Sequence, residues 1–275
     1  MPLDQRQTFL RWAGGKRRLI NYLQSYLPDD VSDRTYREPF LGAGSLFLEV
    51  GPKSAVLSDL NEDLIETFRQ VRARPDLIFR YLQRHASLDC EEHYYRVRDA
   101  YNGATMYSAA QAARFIYLNR TCFNGIFRVN KSNEFNVPYG KLTKPLFPSA
   151  AHLEWIAAAL ECAKLQSLDY VDALSDAAAG DFVYLDPPYP PLNGTSFFRH
   201  YTPERFGKAD QATVAAWVKR LSARGCLIMV SNADTPDIRE LYAGFEISTV
   251  PVTRYVSAKN VKHAVRELVI TNYPV

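Results

Sequence analysis

Closely spaced cysteines are missing from the 275-residue sequence. Its four cysteines, Cys90, Cys122, Cys162 and Cys226, form no C-x-x-C pair, which argues against a zinc site and against a disulfide framework. No apolar run approaches the roughly 20 residues that a membrane span needs, and no apolar segment follows a basic one at the N-terminus. We therefore expect a cytoplasmic protein that binds no metal and carries neither a signal peptide nor a membrane anchor.

Acidic residues are scarce in parts of the chain, although the net charge is only +3. Between Arg114 and Lys144 there are six basic residues and one acidic residue, Glu134. Two further groups have no acid between their basic residues: Arg6, Arg11, Lys16, Arg17 and Arg18, and then Arg254, Lys259, Lys262 and Arg266. Local basic stretches in a chain of modest net charge indicate a surface that faces a phosphate backbone, although each stretch alone is equally well explained as solvated charge.

The first part of the chain alternates strand and helix patterns. Strand patterns lie at 36–40 and 55–58, and a glycine-containing turn lies at 41–44. A helix pattern follows at 45–50, and Asn61-Glu62-Asp63 is predicted to cap a second helix that runs to about 72. A strand, a glycine turn, a helix and a second strand that ends in an acid form the opening of a doubly wound α/β sheet.

An insert interrupts this sheet pattern. Helix patterns continue to about residue 120, and two short β-like runs at 127–138 flank a polar Lys-Ser-Asn turn, which predicts a hairpin. Sheet patterns then resume at 164–168, 182–185, 226–230, 245–250 and 267–271, with a helix near 211–223. We therefore expect a catalytic domain of residues 1–74 and 160–275 and an insert of residues 75–159. The sequence has no internal repeat and no low-complexity linker.

The tetrapeptide Asp186-Pro187-Pro188-Tyr189 follows an apolar strand pattern. Its two prolines enforce an extended, rigid loop and have no N–H of their own, so we expect their carbonyls to be free acceptors. Asp186 and the Pro187 carbonyl can accept the two N–H groups of a planar amine, while Tyr189 stacks on its ring. The alternative is a turn at the end of a strand with a surface tyrosine. The first interpretation predicts an amino-methyltransferase.

A second set of residues indicates a nucleotide-like cofactor. Gly42 and Gly44 allow close approach of the backbone to a ligand, and Asp59 follows at the end of the next strand, where a carboxylate can bind both ribose hydroxyls. Nicotinamide nucleotides and S-adenosylmethionine both carry such a ribose. The missing third glycine of G-x-G-x-x-G favours S-adenosylmethionine. Trp12 and Lys16 flank a further Gly-Gly turn and are candidates to contact the adenine and the carboxylate of S-adenosylmethionine. The alternative is that Trp12 is a core residue and Lys16 a solvated charge.

These residues closely resemble the Dam-type DNA adenine-N6 methyltransferases, an alpha-order family of amino-methyltransferases, over nearly the whole chain. The matching segments are 9–16, 38–45, 57–61, 117–120, 124–125, 134–138 and 186–189. The resemblance implies a Rossmann-like methyltransferase that acts on adenine in double-stranded DNA, typically within GATC. The implied cofactor is S-adenosyl-L-methionine, with the contacts Trp12, Lys16, Phe40, Gly42, Gly44, Asp59 and Asp186. The implied catalytic residues are Asp186, Pro187, Pro188 and Tyr189.

The resemblance also implies a set of DNA-binding residues. They are Arg11, Arg120, Phe123, Asn124, Ile126, Arg128, Lys131, Pro138 and Lys141. Phe123 stands where the best-known members carry tyrosine, so stacking in DNA is retained and a hydroxyl is lost. Arg11 stands where lysine is frequent, and both side chains can donate to guanine O6 and N7. Arg128, at the start of the predicted hairpin, is our candidate for base reading, with a phosphate contact as the alternative.

Three other activities compete with this interpretation. An N4-cytosine DNA methyltransferase presents a similar amine to the same loop. A protein-glutamine methyltransferase does so too, although the basic insert argues against it because an amide substrate needs no phosphate contacts. A catalytically idle DNA-binding module is a third alternative, against which the intact tetrapeptide and Asp59 argue.

Overall fold

A seven-stranded sheet forms the centre of the protein, which the computed structural model describes over residues 8–189, 206–256 and 261–275. Its strands in spatial order are β3, β2, β1, β4, β5, β7 and β6. They comprise β1 Thr35–Glu38, β2 Ser54–Asp59, β3 Ala163–Ser167, β4 Phe182–Leu185, β5 Leu227–Ala233, β6 Glu246–Val256 and β7 Val261–Thr271. The first five strands pair in parallel, whereas β7 is antiparallel to both β5 and β6.

The strand order places a switch point between β1 and β4. The chain proceeds from β1 to β2 on one side, and returns to pair β4 with β1 on the other side. In open α/β sheets, the crevice at the carboxyl ends of the strands beside such a point is where ligands bind. The carboxyl ends of β1, β2 and β4 are followed by the glycine turn, by Leu60-Asn61 and by the tetrapeptide, so the predicted motifs meet at this edge.

Ten α-helices surround the sheet in the described part of the chain. They are α1 Ile20–Gln24, α2 Ser45–Val50, α3 Glu62–Ala73, α4 Pro75–Ser87, α5 Glu91–Asn102, α6 Ala109–Thr121, α7 Ala150–Ala159, α8 Tyr170–Ala173, α9 Lys208–Ala223 and α10 Pro236–Leu241. The predicted cap of α3 is present, because the Asn61 side chain accepts a hydrogen bond from the Leu64 N–H. Short 3₁₀ helices at Lys16–Arg18 and Phe123–Gly125 lie in two of the segments that carry predicted binding residues.

The predicted insert, residues 75–159, shares a hydrophobic core with the sheet. Ile78 of α4 and Phe115 of α6 belong to the same buried cluster as Phe68 of α3 and Leu57 of β2. Helix α6 is buried along most of its length, which explains its weakly amphipathic sequence. This packing fixes the position of the insert relative to the carboxyl edge of the sheet. A second cluster, centred on α9, β4 and β5, covers the other face.

The predicted hairpin at 127–138 forms as a turn with one antiparallel bridge, Val129 to Phe135, and not as two regular strands. The backbone N–H and carbonyl of Phe135 bind the Asn102 side chain at the end of α5, at 2.8 and 3.0 Å. Asn130 Oδ1 also accepts the N–H groups of Ser132 and Glu134. The backbone bonds from the Asn130 N–H to the Glu134 carbonyl and from the Asn136 N–H to the Arg128 carbonyl form a short ladder, and side chains hold its tip and its outer edge.

Candidate active site and nucleic-acid interface

Lys16 and Asp186 form a buried ion pair at the carboxyl edge of the sheet. The Lys16 Nζ lies 2.8 Å from Asp186 Oδ1, and the lysine is 6% exposed. Lys16 also donates to the Gly14 carbonyl at 2.9 Å and lies 4.5 Å from the ring centroid of Tyr189. The ammonium group thus contacts the carboxylate that was predicted to accept a target amine and the ring that was predicted to stack on the base.

Burial controls the charge state of the Asp186 carboxyl. Loss of solvation raises the pKa of Asp186 to about 6, the neighbouring Lys16 ammonium opposes that rise, and the Glu267 carboxylate adds to it. Asp186 is therefore ionised at neutral pH and protonated in mild acid. The raised pKa makes the Asp186 carboxylate more basic, and therefore a stronger hydrogen-bond acceptor for an N–H group placed beside it.

Two further polar atoms of the tetrapeptide are held by residues from distant parts of the chain. The Tyr189 hydroxyl donates to Glu267 Oε2 at 2.8 Å, and the Gln211 Nε2 donates to the Pro188 carbonyl at 2.8 Å. The prediction that both proline carbonyls are free is therefore wrong for Pro188. The Pro187 carbonyl accepts no hydrogen bond from the described residues, so it keeps the predicted capacity to accept one from a ligand.

Asp59 organises the glycine turn. Its Oδ2 accepts the Gly42 N–H at 2.9 Å and its Oδ1 accepts the Asn61 N–H at 3.0 Å. Burial raises the pKa of Asp59, while these two N–H groups oppose the rise. Each carboxylate oxygen retains a second lone pair. Asp59 can therefore hold the turn and accept hydroxyl groups from a ligand at the same time.

Trp12 packs directly against the glycine turn. A Cβ atom on Gly42, whose φ is +49°, would lie 2.9 Å from Trp12 Cδ1, so this position requires glycine for both space and backbone conformation. The indole also stacks on Phe127 at a centroid distance of 5.8 Å. At Gly44 the φ of +67° again suits glycine. Trp12 thus connects the turn at the end of β1 with the start of the 127–138 turn.

An aromatic cluster lies beside the carboxyl ends of β1 and β3. Phe40 stacks on Tyr170 at 5.2 Å between ring centroids and meets Phe206 edge-on at 6.1 Å. Asp169, just before Tyr170, caps α8 by accepting the Val171 N–H at 2.9 Å. Such flat apolar walls suit a planar ring. Phe40 was predicted from the sequence and Tyr170 was not, although the acid-aromatic pair after strand 164–168 is a signal for it.

Glu38 is a further carboxyl group that the sequence analysis passed over. It ends β1, is 3% exposed, and accepts the Tyr36 hydroxyl at 2.9 Å. Burial raises the pKa of Glu38 to about 8, and the Asp186 and Asp59 charges add to the rise, whereas the bond from Tyr36 opposes it. Glu38 is therefore mostly neutral at physiological pH.

We expect Glu38→Gln to lose less stability than the wild type when the pH is raised. The unfolded chain releases this proton near the ordinary pKa of 4.5 and the native protein near 8. The stability due to protonated Glu38 is therefore complete below 4.5 and is lost as the pH rises to about 8. As the pH is raised from about 5 to about 8, the Tm of the glutamine variant should rise relative to that of the wild type by at least about 2–4 °C. This is the Tm shift that a change of about 1 kcal/mol in the free energy of unfolding produces in a domain of this size. A Tm difference that stays constant across this range would contradict the assignment.

Arg120 has a buried guanidinium group without a matching acceptor. It is 7% exposed, and its Nε and Nη2 find no hydrogen-bond partner in the described part of the chain. Burial lowers the pKa of Arg120 to about 10, and the Arg11 and Arg17 charges lower it further. A buried cation beside two other cations is costly unless an anion approaches it. This arrangement suits a phosphate group.

The Phe123–Gly125 segment presents an aromatic ring next to this basic group. Phe123 is 53% exposed, and Asn124 has a φ of +58°. A Cβ on Gly125 would lie 2.7 Å from Arg11 Nε, so the segment packs against Arg11. Asn119 holds the Arg11 backbone at both its N–H and its carbonyl, at 2.7 and 2.6 Å. Asn119 was part of a matched segment, but its role could not be assigned from sequence.

Asn136 orients the Arg128 side chain across the 127–138 turn. Arg128 Nε donates to Asn136 Oδ1 at 2.7 Å and its Nη2 donates to the Asn136 carbonyl at 3.3 Å. These two bonds engage one edge of the guanidinium group. Both protons of Nη1 and one of Nη2 remain for a second partner, which is the pattern needed for bidentate contact with guanine.

The remaining predicted DNA-binding residues lie around these groups. Lys131 is exposed at the tip of the 127–138 turn, and Ile126 is half-buried. The Pro138 carbonyl accepts the Phe123 N–H at 2.8 Å, which holds the aromatic segment in place. Lys141 lies 3.3 Å from Glu91 on the exposed surface, a pair that contributes little to stability. Arg6 and Lys259 lie outside the described residues, as do the side chains of Arg18, Arg254 and Lys262.

The described residues contain no group of three or more histidine, cysteine, aspartate or glutamate side chains that could hold a metal ion. Within the same residues, no helix combines the length and the apolar character needed to cross a lipid bilayer.

Comparison with known proteins gives the class of this chain. The family of D12 class N6 adenine-specific DNA methyltransferases matches residues 12–256. The chain therefore belongs to this family, which confirms the resemblance, the enzyme class and the Rossmann-like methyltransferase fold predicted from the sequence. Membership favours adenine over the N4-cytosine alternative, and an enzyme over an idle binding module.

Similar proteins come from bacteria and archaea. The chain is 37% identical to the type II methyltransferase M1.LlaDCHI of Lactococcus lactis subsp. cremoris over 271 residues, which cover 96% of this chain and 95% of that protein. It is also 37% identical to the type II methyltransferase M.MjaIII of Methanocaldococcus jannaschii, with 96% and 98% covered. A DNA adenine methylase of Escherichia coli K12 is 35% identical, with 93% and 91% covered.

Proposed function

We propose that the protein transfers a methyl group from S-adenosyl-L-methionine to N6 of adenine in double-stranded DNA, within GATC. The observation that carries this proposal is the position of the Asp186 carboxylate and the Tyr189 ring at the carboxyl end of β4, next to the glycine turn that Asp59 holds. An acceptor for an amine and a surface for a base thus lie beside a site suited to a ribose.

The residues around the glycine turn fit the proposed methyl donor. Asp59 supplies free lone pairs for two ribose hydroxyls, and the Phe40 and Tyr170 rings supply flat walls for an adenine. Lys16 supplies a cation for a carboxylate. When bound, S-adenosylmethionine supplies an electrophilic methyl group on a sulfonium. The chain's own part is to bind this donor and to aim it at the tetrapeptide.

The tetrapeptide then holds the target amine. The adenine must leave the base stack, because its N6 is inaccessible in a duplex. Asp186 accepts one N–H and the Pro187 carbonyl accepts the other, which directs the nitrogen lone pair toward the methyl group. Tyr189 stacks on the ring and fixes its angle. Methylation leaves a positive charge on N6, and Asp186, whose pKa is raised to about 6, is the adjacent acceptor for the proton that must leave.

The insert 75–159 provides the proposed DNA-recognition part. Arg120 and Arg11 hold a backbone phosphate, for which the buried, unmatched guanidinium group of Arg120 is the support. Exposed Phe123 occupies the gap that the flipped adenine leaves in the duplex. Arg128 reads a guanine, and Lys131 contacts phosphate.

Asp59→Ala should weaken S-adenosylmethionine binding about 10-fold or more, because two hydrogen bonds of about 1 kcal/mol each are lost. DNA affinity should change much less. Calorimetric titration of the protein with the cofactor alone measures the first effect, and Asp59→Asn, which keeps an acceptor for the glycine turn, serves as the matched variant. Unchanged cofactor affinity in Asp59→Ala would show that this carboxylate serves only the turn and the start of α3.

Phe123→Ala should impair base flipping. The exposed ring contributes roughly 1–3 kcal/mol if it stacks between bases, so the variant should show a smaller fluorescence rise on duplexes with 2-aminopurine at the target position. Leu146, which is also exposed, offers a control in Leu146→Ala. If Phe123→Ala and wild type give the same rise, the ring does not fill the gap.

The proposed function is tested by incubation of the protein with S-adenosylmethionine and duplexes that differ only in one tetranucleotide. Digestion to nucleosides and mass spectrometry should detect N6-methyladenine, and sequencing should place it in GATC. N4-methylcytosine as the product, or methylation that does not depend on GATC, would overturn the corresponding part of the proposal.

A further inference from the structure

Glu267 brings a carboxylate to the tetrapeptide from the C-terminal part of the chain. Strand β7 pairs with β5 so that Glu267 lies opposite Ala233, the last residue of β5. The side chain is 5% exposed. Its Oε2 accepts the Tyr189 hydroxyl at 2.8 Å and lies 3.9 Å from the Lys16 ammonium.

The strand around Glu267 is otherwise apolar. The three residues that follow it, Leu268, Val269 and Ile270, are all buried in the apolar cores. A carboxylate in such a position costs several kcal/mol unless its partners satisfy it. The partners seen here, Tyr189 and Lys16, both belong to the site described above. These contacts connect the buried charge on β7 directly to the site.

The hydroxyl of Tyr189 determines how its ring is held. Pro187 and Pro188 restrict the backbone before the ring, but the tyrosine side chain can still rotate and tilt. A hydrogen bond at the far end of the ring removes that freedom. Charge-assisted bonds of this kind are shorter and about twice as strong as neutral ones. The ring is thus fixed by its backbone at one end and by β7 at the other.

On the basis of the proposed function, we propose that Glu267 is a positioning residue that fixes the tilt of the Tyr189 ring, and through it the angle at which the target amine meets the methyl group. Its effect falls on the methyl-transfer step and not on binding, because Glu267 acts on the ring through the hydroxyl. A change of about 1 Å in the position of a reacting group can reduce a rate by about 100-fold.

Single-turnover methylation of one GATC duplex tests this role in four variants: Glu267→Ala, Glu267→Gln, Tyr189→Phe and the double variant Glu267→Ala/Tyr189→Phe. We expect Glu267→Ala to lower the rate about 10-fold to 100-fold while the affinities for cofactor and DNA stay within about twofold. Glu267→Gln keeps an acceptor for the hydroxyl and should remain within about threefold of the wild type. Glu246→Ala, an exposed glutamate on the neighbouring strand β6, should retain the wild-type rate.

The double variant decides whether Glu267 works through Tyr189. If it does, the two changes remove the same bond, so the double variant should be no slower than the slower single variant. Multiplied rate losses in the double variant, or a glutamine variant as slow as the alanine variant, would overturn the proposal. Equal rates for Glu267→Ala and wild type would also overturn it. Absence of methylation by the wild type on the same duplex would instead refute the proposed function itself.

Discussion

Asp186→Ala should reduce the methylation rate constant by at least about 100-fold, the loss expected when a main transition-state interaction is removed. The carboxylate is the charged acceptor of the tetrapeptide, and its pairing with Lys16 shows that it can bind an N–H donor in this position. Single-turnover methylation of a GATC duplex is the measurement. A variant that keeps more than about a tenth of the wild-type rate would exclude the proposed role.

Asp234→Ala is the matched control for this experiment. Asp234 also follows a parallel strand, β5, and its carboxylate is engaged in an ion pair with Arg239 at 2.6 Å. Removal of an aspartate at the same edge of the sheet should leave the methylation rate within about threefold of the wild type, because a partly exposed ion pair contributes little. A similar Tm for both variants would show that any difference in rate has its origin in the chemistry.

The pKa of Asp186 also determines the pH dependence that we expect for the reaction. Since the pKa of Asp186 is raised to about 6, the acceptor is present above that pH and is lost as the pH falls through it. The rate constant should therefore decline about tenfold for each pH unit well below the pKa. A rate that stays level from about pH 5 to about pH 8 would contradict the assignment of Asp186 as the acceptor.

Local patterns predicted much of the fold and of the candidate site. The apolar run before Asp186 and the Asn61 cap gave the correct elements, because strands and helix starts of this kind depend on neighbours in sequence. Strands β6 and β7 extend well beyond the predicted 245–250 and 267–271. The charged residues in their paired continuation, such as Arg254 opposite His263, interrupt the apolar pattern on which the prediction depended.

Contacts between distant parts of the chain were not accessible from the sequence. The Tyr189 hydroxyl meets a carboxylate 78 residues away, and Asn102 binds both backbone groups of Phe135 from 33 residues away. A backbone group that a distant side chain binds leaves no periodic signal in the sequence. The charge environment of Glu38 and Arg120 likewise depends on burial by other elements, so the sequence could identify these residues as polar but not as buried.

The orientation of Arg128 by Asn136 makes a specific prediction about sequence recognition. Arg128→Ala should cost about 1–3 kcal/mol on GATC and relax the preference at one base pair, if the free edge of the guanidinium group contacts guanine O6 and N7. The measurement is kcat/KM for wild type and variant on GATC and on duplexes with each single-base change.

Two further variants separate base reading from phosphate binding. Lys131→Ala removes an exposed cation from the tip of the same turn and should weaken activity on all duplexes alike, with a lower salt dependence of binding. Asn136→Ala keeps Arg128 but removes the Oδ1 that holds its Nε, so it should relax the preference at the same base pair as Arg128→Ala, to a smaller extent.

The pattern across the substrates decides between the two roles of Arg128. A base contact is specific to one position, so the variant's loss should be largest on GATC and nearly absent on duplexes already changed at the contacted pair. A phosphate contact has no such dependence, because the backbone is the same in every duplex. If the rates of Arg128→Ala fall by one common factor on every duplex, Arg128 binds phosphate, and the bonds that it donates to Asn136 serve only to place it on the DNA backbone.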